Sequence, residues 1–479
     1  MATAEPGSSA SVIRSFPIRH LPAPEIRSMP DPPRSTWRII GPGVIAAGVG
    51  LASGEFVLFP YIASQVGLVF VWAALVGVVT QFFLNMEIER YTLATGETAL
   101  TGFSRFWRHW GLVFAVLTYS ANLWPGWVTS SARLVTYLWG GSARWIAIGM
   151  LLAIALILTL APVVYVALER AQMLKVAAIL GLVIGGSVFA IGAQTWAELP
   201  QIVTGAGIPA AELGFPVLLG ALAFAGAGGG QNLVQSNWIR DKGFGMGKYV
   251  PRIASPVTGQ PEAAPGTGFV FEPTEHNLDN WRRWWSFANR EQLYTFVLIT
   301  FISITFTSLL AYATVFGRLG LPDDIGFLRI EGEQLAAAAG SWFGRFFWFI
   351  GAFALFAAAL GIVDYTSRLA ADVLTTSYFR KTTESTIYFV LVWALALVGC
   401  LVLLAGFAQP IVLLVISACV GAVMMVIYSA LLIVLNTRVL PPQIRISKSR
   451  TAMLSWSFLL FGILSILTII TQARALFGG

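Results

Sequence analysis

Two polar interruptions carry the side chains best suited to hold a ligand. The first is Ala52-Ser53-Gly54-Glu55, and the second is Gly228-Gly229-Gly230-Gln231-Asn232. Each sits inside an otherwise apolar stretch, where an ionisable or amide side chain is costly and marks a candidate site. Glu55, Gln231 and Asn232, with carbonyls freed by an unwound backbone, make an all-oxygen donor set. Such a set suits a hard cation such as Mg²⁺, Ca²⁺ or Mn²⁺ better than a soft one. Alternatively, the half-helix N-termini beside these groups hold a small organic solute or an anion with no metal. A structural reading also stands, in which Glu55 pairs with a basic residue and locks helices together.

A second group suits coupling or gating. Asp364, Arg368 and Asp372 follow one another at intervals of four, hence on one helical face, and Asp364 and Arg368 are placed to pair. Thr366 and Ser367 lie among them, Asn122 stands beside Trp124, Pro125 and Trp127 in a stretch that reads as a kinked helix, and Arg133 follows.

The elements that position these residues are membrane spans. The chain has 479 residues, 57% hydrophobic and 11% charged, with a mean hydropathy of +0.75. Soluble domains carry roughly 25% charge, so an ordinary soluble globular protein is excluded. Cys400 and Cys419 lie in apolar segments and form neither a disulfide framework nor a thiolate cluster. His20, His109 and His276 fall outside the apolar runs, so an intramembrane metal has oxygen or methionine sulfur to bind. The net charge of +7 is spread over short loops, which argues against a nucleic-acid partner. No span gathers a hydrolytic constellation, which argues against an enzyme. Arg240 to Lys248 is not a nucleotide fingerprint, and no cofactor is implied.

Apolar windows give about eleven spans, near 38–65, 69–92, 111–138, 145–165, 170–193, 215–238, 291–316, 342–376, 385–406, 410–436 and 452–474. Residues 1–36, rich in Pro, Ser and Arg, read as a disordered cytosolic tail without a signal-peptide core. Residues 37–475 then form one transmembrane domain, with a cytoplasmic loop over 240–290. Loops that share a side with the N-terminus collect Arg105, Arg108, Lys242, Lys248, Arg282, Arg283, Lys381 and Arg445. The positive-inside rule places the N-terminus in the cytoplasm of a multi-pass protein, of the kind found in a prokaryotic inner membrane.

The first and sixth spans both carry a Gly-containing polar centre, and glycine in a helix interior costs roughly 1 kcal/mol. Unwound backbone in lipid survives only where it is buried in protein or lines a cavity. Broken helices at the first and sixth positions of at least ten spans are the pattern of an inverted repeat, with the site at the midplane. The alternative is a pair of Gly-rich helices packed closely on their neighbours. The expected fold is an all-α polytopic membrane protein with a leucine-transporter-like inverted repeat and broken helices 1 and 6.

The chain resembles the Nramp family of divalent-metal transporters over nearly all of 37–475. The resemblance rests on Gly41-Pro42-Gly43, on Glu89-Arg90-Tyr91-Thr92-Leu93-Ala94-Thr95-Gly96 closing the second span, and on the two broken helices. It implies the leucine-transporter fold, alternating access and a metal site between the breaks. The chain departs from the family's motifs. Ala52-Ser53-Gly54-Glu55 stands where the family has Asp-Pro-Gly-Asn, and Gly228-Gly229-Gly230 stands near its Met-Pro-His. Asn122 and Pro125 replace the third-helix acids associated with proton movement, and Ala418 replaces a tenth-helix Gln. In this fold the first and eighth helices often frame a sodium site. The resemblance therefore assigns Thr366 and Ser367 as ligands there, or Arg368 as a fixed charge in the ion's place. The leading expectation is a secondary transporter of a hard divalent cation. The alternatives are a transporter of a small organic solute or anion, and third a non-transporting receptor. The partners implied are the cargo and the lipid bilayer, with the oligomeric state open.

Overall fold

The computed structural model describes residues 16–33, 42–161, 164–250, 268–322, 324–379, 381–407 and 409–477. Gly41, of the opening Gly-Pro-Gly motif, lies outside the described residues. Over the described residues each expected span is helical, most of them as one helix and the first, third and sixth as separate segments. The first consists of α1 (Pro42–Gly50), a π-helical turn over Gly54–Leu58 and α2 (Phe59–Val66). Pro42 opens α1, where its missing N–H has no helical partner to lose. The second span is α3 (Trp72–Thr95), followed by the short α4 (Ala99–Phe106), whose N-cap Thr98 accepts from Thr101 N. The third is divided into α5 (Trp110–Asn122) and α6 (Gly126–Trp139) by Pro125, which cannot donate to the helix. The fourth and fifth are α7 (Ala143–Leu160) and α8 (Val164–Phe189).

The sixth span is split into α9 (Phe215–Ala223) and α10 (Gly230–Lys242). The seventh begins well before its apolar window. α11 (Glu275–Glu291), capped by Thr274, runs through a π-helical stretch at Gln292–Leu298 into α12 (Ile299–Thr314). After α13 (Phe327–Ala339), spans eight to eleven are α14 (Ser341–Ser377), α15 (Glu384–Leu404), α16 (Pro410–Arg438) and α17 (Lys448–Phe477). Eight of the described helical runs are long and apolar enough to cross a membrane, and the window of the first is 100% buried. The molecule is a multi-pass membrane protein whose first span lies wholly inside the bundle.

Residues 16–33, read from sequence as part of a disordered tail, are packed against the protein. The two-residue strands β1 (Glu25–Ile26) and β2 (Phe269–Val270) pair in parallel. Met29 N donates to Asn277 Oδ1, and Trp284 Nε1 donates to Pro30 O. Arg105 Nη1 donates to Pro17 O and Pro22 O, and Phe16, Leu21 and Met29 are buried. This strap binds the start of the chain to α4 and α11. The remaining positions of the proposed tail, 1–15 and 34–36, and residues 251–267 of the 240–290 loop lie outside the described residues.

Candidate functional site

The two breaks meet backbone to backbone. A Cβ on Gly50 would stand 1.6 Å from Gly226 O, and one on Gly54 would stand 1.9 Å from Phe224 O. Only glycine permits that approach. Beyond it, Gly228 and Gly229 take left-handed φ values of 84° and 54°, open to residues without a Cβ at little cost. The first break is tighter than its sequence suggests: only Leu51 and Ala52 leave the helix, and Ser53 is already helical before the π-helical turn begins.

Breaking a helix strands backbone groups, and one side chain serves both sides of the sixth-span break. Gln81, on α3, accepts from Ala227 N at 2.8 Å and Gly228 N at 2.9 Å through Oε1. Its Nε2 faces Ala223 O and Ala225 O at 3.0 Å each and Leu222 O at 3.3 Å. Gln81 is fully buried. Sequence reading passed over it, although an amide in the middle of an apolar helix was the available signal.

Ala52, Ser53, Gly54 and Glu55 are all buried at the first break. Neither carboxyl oxygen of Glu55 has a hydrogen-bond partner. The Lys175 ammonium and the backbone N–H groups of Ala52, Glu55 and Gly226 are its electrostatic neighbours, and Thr307 on α12 donates to Glu55 O. Lys175, on α8, is fully buried and donates to Gly48 O at 2.5 Å. Its place at the first break, rather than at the membrane interface, gives Glu55 its basic neighbour.

The other half of the proposed donor set is engaged elsewhere. Gln231 Nε2 donates to Ala46 O at 2.6 Å, which ties α10 to α1. Asn232 donates to Asn85 Oδ1 at 2.7 Å and accepts from Tyr428 OH at 3.0 Å, which ties α10 to α3 and α16. Glu55 is thus brought to the sixth-span break, whereas Asn232 meets it only through Gln81, to whose Oε1 it donates at 3.4 Å. Among the described residues no three His, Cys, Asp or Glu side chains gather as a metal cluster.

The coupling candidates are distributed over two networks and a surface position. Asn122 Nδ2 donates to Thr366 Oγ1 at 2.8 Å and Tyr365 OH at 3.0 Å, with Ser417 near its Oδ1, so it joins the third, eighth and tenth spans. Thr366 is thereby occupied, while Ser367 Oγ is buried without a partner. Arg368 grips Asp364 through Nε and Nη2 at 3.2 and 2.9 Å and binds Asp241 through Nη1. Tyr388 OH donates to Asp364 at 2.7 Å. Asp372 accepts from Thr98 Oγ1 at 2.6 Å and from Arg240 at 3.0 Å, and Arg240 also binds Glu384 at 2.9 Å. These charges join the sixth, eighth and ninth spans. Arg133 is exposed.

Solved structures share this architecture. Two mutant forms of a manganese transporter from Eremococcus coleocola superpose with TM-scores of 0.69 and 0.68 at 14% and 13% identity, covering 95% of this chain and 91% of theirs. Mhp1, a nucleobase-cation-symport-1 family transporter in a closed conformation with bromovinylhydantoin bound, matches at 0.53 with 12% identity, over 90% of this chain and 89% of its own. The chain has the leucine-transporter fold that these proteins share. No family model matches the sequence, and no curated protein matches it.

Proposed function

We propose that the chain is a secondary transporter working by alternating access, with a hard divalent cation as cargo and Glu55 as its central ligand. The observation that carries this reading is Glu55 itself: a fully buried carboxylate at the meeting point of two helix breaks, with no side-chain hydrogen-bond partner and only the Lys175 ammonium and the N–H groups of Ala52, Glu55 and Gly226 near it. A buried carboxylate without such bonds is costly unless a cation or a proton joins it. Backbone carbonyls at the breaks and the Glu55 carboxylate offer only oxygen, which favours Mg²⁺, Ca²⁺ or Mn²⁺. Lys175 is the native counter-charge at this position. A dication at Glu55 competes with that ammonium, so Lys175 supports the carboxylate between transport events. The reading draws further support from the likeness to a manganese transporter. The solute-or-anion alternative has less to stand on, because Gln81 already occupies the amides of Ala227 and Gly228 ahead of α10.

The test is Mn²⁺ entry into proteoliposomes holding a trapped metal-quenched dye. The expected result is quenching that Mg²⁺ or Ca²⁺ competes away and that Glu55→Gln abolishes while the protein stays folded. Absence of quenching by folded wild-type protein, or full activity in Glu55→Gln, overturns the reading and moves the search to organic solutes and anions.

A further inference from the structure

Spans two, seven and eleven are tied together near the strap by one anchored cluster. On α3, Arg90 donates to Glu87 through Nε and Nη2 at 2.7 and 3.1 Å, and through Nη1 to Ile444 O at 3.0 Å. On α17, Arg450 donates to Glu87 Oε1 at 3.3 Å and to Asn289 Oδ1 of α11 at 2.6 Å. Both guanidinium groups lie over the Trp285 ring, at 4.0 and 4.8 Å from its centre, and that of Arg450 also lies over Phe83. Glu87, fully buried, serves both arginines, so the cluster is a scaffold whose charges are already engaged.

A rim of exposed cations is attached to that scaffold. Arg290 follows Asn289, Arg445 follows Ile444, and Lys448 stands two residues before Arg450; all three are exposed. One or two residues span at most about 7 Å of backbone, so the anchors hold these three cations around one junction. Arg290 and Arg445 use only Nε, on Ser286 O and Leu440 O of their own segments. Among the described residues no carboxylate pairs with any of the three, whereas Arg283 beside them is paired to Asp279 at 2.7 Å. The other acids of the neighbourhood, Glu87, Glu89 and Glu291, are buried. The face turned outward at this junction is therefore positive.

Its depth is set by the apolar side chains that follow it. Along the continuous helix from α11 into α12, the exposed residues change from Arg282, Arg283 and Arg290 to Leu293, Tyr294 and Leu298. Along α17 they change from Lys448 and Ser449 to Trp456, Phe458 and Leu459. Basic residues just ahead of a lipid-facing stretch, with Trp and Tyr beside them, lie at the level of the headgroups. α17 is a peripheral span, with 28% of its apolar window buried, so lipid reaches the junction from the side.

We propose that Arg290, Arg445 and Lys448 form a binding surface for the headgroup of an anionic phospholipid, seated where α11 and α17 enter the bilayer. A basic residue at the membrane surface strengthens the hold on anionic lipid by about fivefold, so three give about 100-fold. Arg90, Arg450 and Glu87 fix the rim without spending its charge, and the acyl chains lie along the exposed apolar side chains of α17. The surface does not depend on what Glu55 binds.

The full-length protein in detergent is titrated with dioleoyl phosphatidylglycerol or dioleoyl phosphatidylcholine, and bound lipids are counted by native mass spectrometry. The first phosphatidylglycerol should bind about 100-fold more tightly than the first phosphatidylcholine. Replacing Arg290, Arg445 and Lys448 together by Gln should remove that preference, and each single replacement should weaken it about fivefold. The three side chains are exposed, so the thermal-unfolding midpoint should hold, and in wild type the preference should shrink as salt rises. Equal affinity of wild type for the two lipids overturns the proposal. So does an equal loss when the likewise exposed Arg19, Arg108 and Lys381 are replaced by Gln instead, which assigns the preference to overall charge. Displacement of phosphatidylglycerol by an equal concentration of inorganic phosphate also overturns it, because the surface then reads free phosphate and not a lipid.

Discussion

Replacing Gln81 by Leu tests whether one amide holds the sixth-span break in shape. Leu fills nearly the same volume, so little cavity cost is added, and the effect isolates the polar role. The loss falls mainly on Ala227 N and Gly228 N, which Gln81 Oε1 accepts at 2.8 and 2.9 Å. A buried donor left without a partner costs about 1–3 kcal/mol, so two give about 2–6 kcal/mol. The three carbonyls near Nε2 share one amide group and add less. Unfolding free energy measured in bicelles should fall by that amount, and hydrogen exchange at Ala227 and Gly228 should quicken. Gln81→Glu keeps the acceptor but buries a charge and turns a second carboxylate oxygen toward the Leu222, Ala223 and Ala225 carbonyls, so its cost at neutral pH should equal or exceed that of Gln81→Leu. An unfolding free energy within about 0.5 kcal/mol of wild type, with unchanged exchange at both amides, would refute the assignment.

Three further outcomes follow from the same packing and electrostatics. Gly54→Ala places a Cβ 1.9 Å from the Phe224 carbonyl; because that atom is backbone, the breaks must part, and overpacking of this kind costs about 1–3 kcal/mol. Dye quenching in proteoliposomes should be lost with a matching drop in stability. Outside the spans, burial pushes the Glu331 carboxyl on α13 well above its ordinary value of 4.5. Its packing is therefore fully supported below pH 4.5 and weakens as pH rises through the raised value, so a thermal-unfolding series against pH should lose this dependence in Glu331→Gln. Glu97 is the opposite case. Burial raises it, but Arg105, Tyr91 and Gly268 N outweigh burial and hold it below the ordinary value. The strap should stay protected from hydrogen exchange above that value and loosen only as pH falls through the lowered one, whereas Arg105→Met should release residues 16–33 at neutral pH.

Hydropathy made the spans legible because each must cross the same hydrocarbon thickness with few charges. The sixth-span break was equally legible, since Gly226, Gly228, Gly229 and Gly230 leave little helix-forming tendency. The partners of polar side chains were not. Periodicity puts Asp364 and Arg368 on one face, but nothing local announces that Asp241 completes their network from a residue 127 positions away. Lys175 lies early in the fifth apolar run, where its sequence position favours a lysine that snorkels to the cytoplasmic interface over one with a coupling role. Its partner is the Gly48 carbonyl, a backbone atom with no sequence signature. Residues 16–33 lack a core of their own and read as unstructured. Their order comes from Asn277, Trp284 and Arg105, supplied by distant parts of the chain.

The buried charges tie part of the bundle into a frame, and the first helix is attached to it by hydrogen bonds of a different kind. Arg368 with Asp364 and Asp241, and Arg240 with Asp372 and Glu384, bind α10, α14 and α15 by multiple charged contacts. Breaking such a pair in the interior costs about 3–5 kcal/mol. α1 is held differently, by single bonds to its backbone: Glu291 at Gly43 N, Gln231 at Ala46 O and Lys175 at Gly48 O. A lone bond contributes about 0.5–1.5 kcal/mol when neutral and about 1.5–3 kcal/mol when one partner is charged. Each of these bonds can therefore open while the frame stays intact. One of the three side chains, Lys175, neighbours Glu55, so on the proposed reading a cation arriving at Glu55 changes the charge balance around one of the bonds that attach α1.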